Sequence, residues 1–168
     1  RSISGEVVTV TSDEGNVVIE AQGTRTLIKT TPPDEFPPLT STGDFERIRV
    51  DREKFLKALQ SVSYAASPSM IRPELGSVSV RFSPAEGVVC VATDSFRLAE
   101  KTVAGAASGS GDILIPLKHV NELTHILEYL KEDTIEVGVD EAQMVVVAGG
   151  VRFLSRRVEA QFADSTSI

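Results

Sequence analysis

The sequence predicts an α+β fold, and three observations predict it. Two segments carry apolar residues at helical spacing: Phe55, Leu59, Val62 and Ala66 in one, Val120, Leu123, Leu127 and Leu130 in the other. Around them lie many short runs that alternate apolar with polar residues or are apolar throughout. The order strand, helix, three strands then occurs twice, with a period of about 60 residues.

Taken in order, residues 6–11 and Asn16–Ala21 alternate apolar with polar and are separated by the turn signal Asp13-Glu14-Gly15. Residues 26–30 offer a third short strand, which gives a core too thin for a whole domain. From Pro32-Pro33 through Phe36-Pro37-Pro38 the prolines fix φ and withdraw donors, so this stretch and the following 39–43 read as an extended linker. The domain boundary falls near residues 38–46.

Beyond it, Ile48 and Val50 make a short strand that ends at Asp51, a helix N-cap residue type, and a helix runs from Glu53 to about Ala66. Pro68 and Pro73 break the chain into a loop. Val78, Val80 and Phe82 mark a half-buried strand, 88–93 a central one, and Asp94-Ser95 turns the chain back into 96–101. The loop GAASGSGD, residues 105–112, reads as a flexible crossover. Ile113 to Ile115 form a strand, Pro116 sits in the first turn of the second helix, and strands follow at Thr134–Val139 and Gln143–Ala148. Gly149-Gly150 is a two-residue hairpin signal into 151–158. The likeness of IRVDREKF (48–55) to ILIPLKHV (113–120), and of VVCVATDSFRL (88–98) to MVVVAGGVRFL (144–154), predicts a duplicated strand–helix–three-strand unit. Its two helices lie side by side on one face of antiparallel sheets.

Composition excludes several classes. The 168 residues carry 17 Lys and Arg against 24 Asp and Glu, a net charge of −7, so the chain is no basic nucleic-acid coat, although a local basic face remains open. Residues 1–46 hold three basic and eight acidic side chains, and 47–168 hold 14 and 16. A hydrophobic share of 41% excludes a disordered tail, and a mean hydropathy of +0.02 without a long apolar run excludes a membrane span. With one cysteine and no cationic-then-apolar leader, a reducing cytoplasm is the expectation. The chain opens at Arg1 without a Met and reads as a trimmed piece or fragment.

Catalytic constellations are missing from the pattern. His119 and His125 are six apart on one helix, so they point about 120° away from each other, cannot share a metal, and read as surface histidines. Cys90 lies within an apolar strand and reads as an inert thiol. Neither a phosphate-cradling Gly-Lys-Ser/Thr, a calcium loop nor a nucleophile elbow occurs, and no cofactor is expected.

Two features carry functional chemistry. Lys54, Lys57 and Ser61 lie at i, i+3, i+7 on the first helix, and Lys118, Asn121 and His125 repeat that spacing on the second. Either this is a solvated face, or it meets a phosphate backbone without reading bases, since it has few amide side chains and no aromatic platform. The other is TDSFRL, residues 93–98, a hairpin whose turn presents Phe96 beside Arg97 while Leu98 returns into the sheet. Such an aromatic beside an arginine can anchor a partner peptide.

The strings VATDSFRLAEK, RPELG (72–76), ILIPLKHVNEL, SRRVEAQF (155–162) and EFPPL (35–39), in this order and spacing, resemble the bacterial sliding clamps, the beta subunits of DNA polymerase III. The resemblance implies a DNA-clamp fold, with 1–45 the last strands and linker of a first domain and 46–168 a whole central domain. It implies a processivity factor, not an enzyme, in a homodimeric ring that slides on duplex DNA without sequence preference. Lys54, Lys57, Arg72, Lys118 and His125 would face the DNA. It also implies a hydrophobic cleft that docks short motifs of the polymerase alpha subunit, the clamp loader and repair polymerases. Leu75, Thr93, Ser95, Phe96, Arg97, Leu98 and Ile168 would form its wall in this chain. Where the family has Gly-x-Phe-Pro-Asp-Tyr, this sequence has Ala160, Gln161, Phe162, Ala163, Asp164 and Ser165, so the rim lacks its proline and tyrosine. The alternative is a protein–protein adaptor on the same fold without a DNA role, told apart by the absence of salt-dependent retention on DNA. A cryptic enzyme would instead lose activity on Asp94→Asn.

Overall fold

The structure is a computed structural model and describes residues 7–35, 47–140, 143–160 and 162. The chain divides into two compact units, Arg1–Ser41 and Thr42–Ile168. Expectations that fall on the linker 36–46, on Gln161, on 163–165 of the altered rim and on Ile168 lie outside the described residues.

In the first unit β1 (Thr9–Asp13), β2 (Asn16–Ala21) and β3 (Thr24–Ile28) form an antiparallel sheet in that order. The expected turn closes β1 on β2: Asp13 pairs with Asn16, and Glu14 and Gly15 have φ of 48° and 78°, the left-handed pair of a two-residue hairpin. Gln22 and Gly23, φ 38° and 79°, close β2 on β3 in the same way. Pro33–Glu35 form a 3₁₀ turn where a fully extended stretch was expected, because the amide of Glu35 donates to the Pro32 carbonyl.

In the second unit β4 (Arg47–Asp51) leads into α1 (Arg52–Val62), followed by a 3₁₀ turn at Ser63–Ala65 and by β5 (Ser77–Ser83), β6 (Gly87–Thr93) and β7 (Leu98–Val103). The order then recurs as β8 (Gly111–Pro116), α2 (Leu117–Tyr129), β9 (Thr134–Val139), β10 (Gln143–Ala148) and β11 (Val151–Arg156). The two halves exchange their first strands. One sheet runs β11-β10-β9-β4 and the other β7-β6-β5-β8, every neighbour antiparallel. Each half thereby completes the other, and α1 packs against α2 over a shared core.

That core follows the predicted stripes. Phe55, Leu59, Val62, Val120, Leu123 and Leu127 are fully buried with Val50, Ile115, Ile135 and Met144. Phe55 meets Phe82 with ring centroids 5.7 Å apart at 56°, a tilted pair. All seven residues of β6 are buried, as its continuous apolar run requires of an inner strand.

Caps fix the helices. Asp51 Oδ1 accepts from the amide of Lys54 at 3.0 Å, the predicted N-cap. Pro116 is the N-cap residue of α2, one position before the helix, with extended ψ of 137° and no capping side chain. Arg52 joins the halves: its Nε donates to the Glu132 carbonyl at 2.7 Å and its Nη1 to the Leu127 carbonyl at 2.9 Å, placing a cation at the C-terminal end of α2.

The Gly/Ser loop is more than a crossover. Asp51 N donates to Ala106 O, and Ser108 N to Arg49 O, so the loop runs along the free edge of β4 and satisfies its backbone groups. Glycine permits that approach, since a Cβ on Gly109 would stand 3.1 Å from Ile48 Cγ1. Val158 N donates to Leu114 O and covers β8 in the same way.

Candidate functional site

The β6–β7 hairpin is held by its own side-chain bonds. Thr93 pairs with Leu98, leaving a four-residue loop from Asp94 to Arg97. Asp94 Oδ1 accepts from the amides of Phe96 and Arg97, both at 3.0 Å, while its Oδ2 meets Arg97 Nε at 3.0 Å. Those two amide bonds, with the adjacent guanidinium, hold the Asp94 carboxyl below the ordinary aspartate range. Thr93, 3% exposed, donates its hydroxyl to the Arg97 carbonyl at 2.7 Å and accepts from the amide of Ser95 at 3.1 Å. Ser95 takes φ of 77°, a left-handed conformation that an L side chain rarely adopts.

This bonding turns Phe96 outward, 98% exposed, against the usual tendency of a phenylalanine. Leu98 begins β7 with its side chain 40% exposed. Behind them Tyr64, 63% exposed on the 3₁₀ turn, sets its ring 6.0 Å from the Arg97 guanidinium carbon. Leu75 is half-buried at the base of the 66–76 loop, where its carbonyl accepts from Ser67 N and its amide donates to Arg72 O. The exposed Met70 and Ile71 belong to the same loop.

The second half has no such hairpin. Its equivalent turn is the two-residue Gly149-Gly150, φ 55° and 78°, with Ala148 paired to Val151. The expected Gly-Gly turn is there, and it projects no side chain. The duplication has therefore been differentiated: one half presents an aromatic and an arginine, the other a plain turn.

The helix faces are less basic than the spacing suggests. Lys54, Lys57, Lys118 and His125 are all exposed, but Lys54 Nζ lies 3.6 Å from Asp51, and Lys57 Nζ bonds Glu53 at 2.5 Å. The Glu53 carboxyl titrates below its ordinary range because that bond and the lysine charge favour its ionised form. His125 lies 3.6 Å from Glu128, which also accepts from Gln60 across the two helices at 2.8 Å. Arg72, exposed on the loop, pairs with Glu74 at 2.9 Å. Lys118 has no ion pair among the described residues. The offset that superposes the caps, Asp51 on Pro116, sets Lys54 on His119 and Lys118 on Glu53, so the two lysine faces are not equivalent. His119 itself is half-buried, its Nδ1 2.8 Å from Ser155 Oγ on β11, and corrects the reading of two surface histidines. It points toward the flanking strand while His125 points away.

Cys90 is buried in β6, and desolvation pushes its thiol up to about 12, in keeping with an inert side chain. Among the described residues no three His, Cys, Asp or Glu side chains gather to hold a metal, and no helix is long and apolar enough to cross a membrane. Sequence reasoning missed Tyr64 and Arg52, and it read Asp94 as a turn residue without the side-chain bonds that clasp the loop. Asp94 was legible, since an aspartate two and three residues before free amides is a turn-forming signal.

Comparison with known proteins adds to this geometry. The family described as DNA polymerase III beta subunit, central domain, matches residues 49–164. The beta sliding clamp of Staphylococcus aureus (strain MW2) is 30% identical over 137 residues, and that of Bacillus subtilis (strain 168) is 28% identical over 137. These alignments cover 81% and 80% of this chain but only 36% of either relative, so the chain spans about a third of their length. Among solved structures, the DNA polymerase III beta subunit of Thermotoga maritima covers 98% of this chain at a TM-score of 0.85 and 25% identity, using 45% of its own length. The DNA polymerase sliding clamp of Bacillus subtilis covers 98% at 0.78 and 25% identity, using 44% of its own.

Proposed function

We propose that this chain, which belongs to the DNA polymerase III beta-subunit family, supplies the central domain and part of the preceding domain of a replicative processivity clamp. In the assembled homodimeric ring it helps enclose duplex DNA in the cytoplasm, without catalysis of its own. Its β6–β7 hairpin receives short motifs of the polymerase alpha subunit, the clamp loader and repair polymerases. The observation that carries this reading is the hairpin's geometry: Phe96 is held almost fully in water by a clasp of four hydrogen bonds. Leaving an aromatic in water is unfavourable unless a partner covers it. Leu75 and Leu98 add apolar surface, and Arg97 adds a charged donor.

On the DNA side, α1 and α2 lie together with Lys54, Lys57, Lys118 and His125 exposed, a set suited to screening phosphates without reading bases. One observation favours the adaptor as a second reading. Four of the five candidate DNA-facing residues already have an acidic neighbour, which lowers the field this face offers to a phosphate backbone. The adaptor predicts no salt-dependent retention on DNA; the clamp predicts retention that weakens as salt rises.

The docking reading is tested by amide NMR of this chain titrated with a short peptide of the Gln-Leu-x-Leu-Phe type. Shifts gathered at Leu75 and residues 93–98 are expected. An unchanged spectrum at millimolar peptide contradicts docking on this wall alone.

A further inference from the structure

We propose that the outward face of the β11-β10-β9-β4 sheet is a docking surface for an acidic protein segment that carries two carboxylates astride an aliphatic side chain. This surface is independent of the hairpin reading, since the β6–β7 hairpin belongs to the other sheet.

The pleat decides which side chains stand there. Ile48, Val50, Ile135, Val137, Met144 and Val146 point into the core, so the residues that alternate with them point away from it. The register lines those up in rows. Arg152 lies beside Val147, Val147 beside Glu136, and Glu136 beside Arg49. In the next row Leu154 lies beside Val145, Val145 beside Gly138, and Gly138 beside Arg47. Arg156 extends the β11 side of the face. All four arginines are exposed, and Val147 and Leu154 are 39% and 38% exposed. Aliphatic surface is therefore flanked by guanidinium groups on both outer strands of the sheet.

The fold does not require that charge. The β7-β6-β5-β8 sheet repeats the pattern, and its register puts Asp112 in the place of Arg47, Leu114 in that of Arg49 and Glu100 in that of Arg152. In a chain of net charge −7, one of two like faces has arginine at all three positions. The acidic groups of its own strands do not cancel it. Glu136 is bonded to Arg47 at 2.9 Å, and Asp51 caps α1 beside Lys54. Arg49 and Arg156 have no ion pair among the described residues.

Guanidinium groups pair with carboxylate and phosphate alike. Here the aliphatic surface between them suits a protein side chain, and no aromatic ring stands in these rows for a base to stack on. β4 and β11 are three strand spacings apart, about 14 Å, which is also about the distance from residue i to i+4 of an extended chain. Side chains i, i+2 and i+4 of such a chain share one face. The pattern Glu-x-Leu-x-Glu thus sets a carboxylate at each arginine-bearing strand and the leucine over Val147 and Leu154.

The test titrates this chain with the capped peptide Glu-Ser-Leu-Ser-Glu at low salt, followed by amide NMR. Shifts are expected at Arg47, Arg49, Val147, Arg152 and Leu154, with none on the β7-β6-β5-β8 sheet. Arg49→Gln is expected to weaken binding by about two- to fivefold, while Arg81→Gln on the other sheet leaves it unchanged. Exchanging both peptide glutamates for glutamine, or its leucine for serine, should each weaken binding. Equal binding of the glutamine peptide, or no shift on this face at millimolar peptide, overturns the proposal. So does tighter binding of a short DNA duplex to the same residues, which would make a phosphate backbone the occupant. Concentration-dependent shifts of this face without peptide would make the occupant a second copy, and overturn it too.

Discussion

Phe55 is fully buried against Phe82 and Phe96 is 98% exposed, so the same side chain does opposite work at two places. Phe55→Ala should cost about 3–5 kcal/mol in denaturant unfolding, because it empties the centre of the shared core. Phe96→Ala should leave stability within about 0.5 kcal/mol and remove the peptide-induced shifts. Asp94 gives a pH signature. Its carboxyl is lowered from the ordinary 3.8 by the amides of Phe96 and Arg97, so the clasp is complete above that value and is lost as pH falls through the lower, folded value. The amide shifts of Phe96 and Arg97 should therefore titrate together with a midpoint below 3.8; a midpoint at or above it would contradict the clasp. At this scale the sequence showed the exposed aromatic and the arginine beside it, since a four-residue turn has nowhere to bury them. It did not show Tyr64, which reaches Arg97 from 33 residues away in sequence. The Glu53–Lys57 pair was legible at i, i+4, and reading the lysine face without its acidic neighbours made that face too basic.

Among the elements, most strand positions were legible from their apolar periods, but α1 ends at Val62 rather than near Ala66 and β7 starts at Leu98 rather than 96, because the Asp94 bonds keep Phe96 and Arg97 in the turn. Asn16–Ala21, Thr134–Val139 and Gln143–Ala148 lie where the pattern puts them. The exchange of β4 and β8 between halves was not legible. Periodicity says which face of a strand is buried but is silent on which neighbour it pairs with. The N-cap at Asp51 was legible, and Asp51→Ala should cost about 1 kcal/mol in thermal or denaturant unfolding. Gly87 is a sharper case. Its φ is +89° and a Cβ there would come within 2.0 Å of the Val103 carbonyl oxygen. Gly87→Ala should destabilise by at least about 2 kcal/mol and loosen the start of β6, seen as faster amide exchange in β6 and β7.

For the whole molecule, the chain matches clamp structures over 98% of its own length but under half of theirs. The exchanged first strands lock the two halves into one body, and α1 and α2 lie together with Lys54, Lys57, Lys118 and His125 exposed. Of the candidate DNA contacts, Lys118 lacks an acidic partner among the described residues, while Lys57 already bonds one. Lys118→Ala should accordingly lower the slope of log affinity against log salt by about one, and Lys57→Ala by less. Equal effects would mean that the Lys57–Glu53 pair opens on DNA.

The most direct test of the clamp reading is topological. The complete clamp chain that carries this segment is loaded on nicked circular DNA and its retention compared before and after the circle is cut once. The clamp account predicts stable retention on the circle and rapid loss from the linear form, by sliding off the ends. Equal retention on both forms, or none on either, would contradict it.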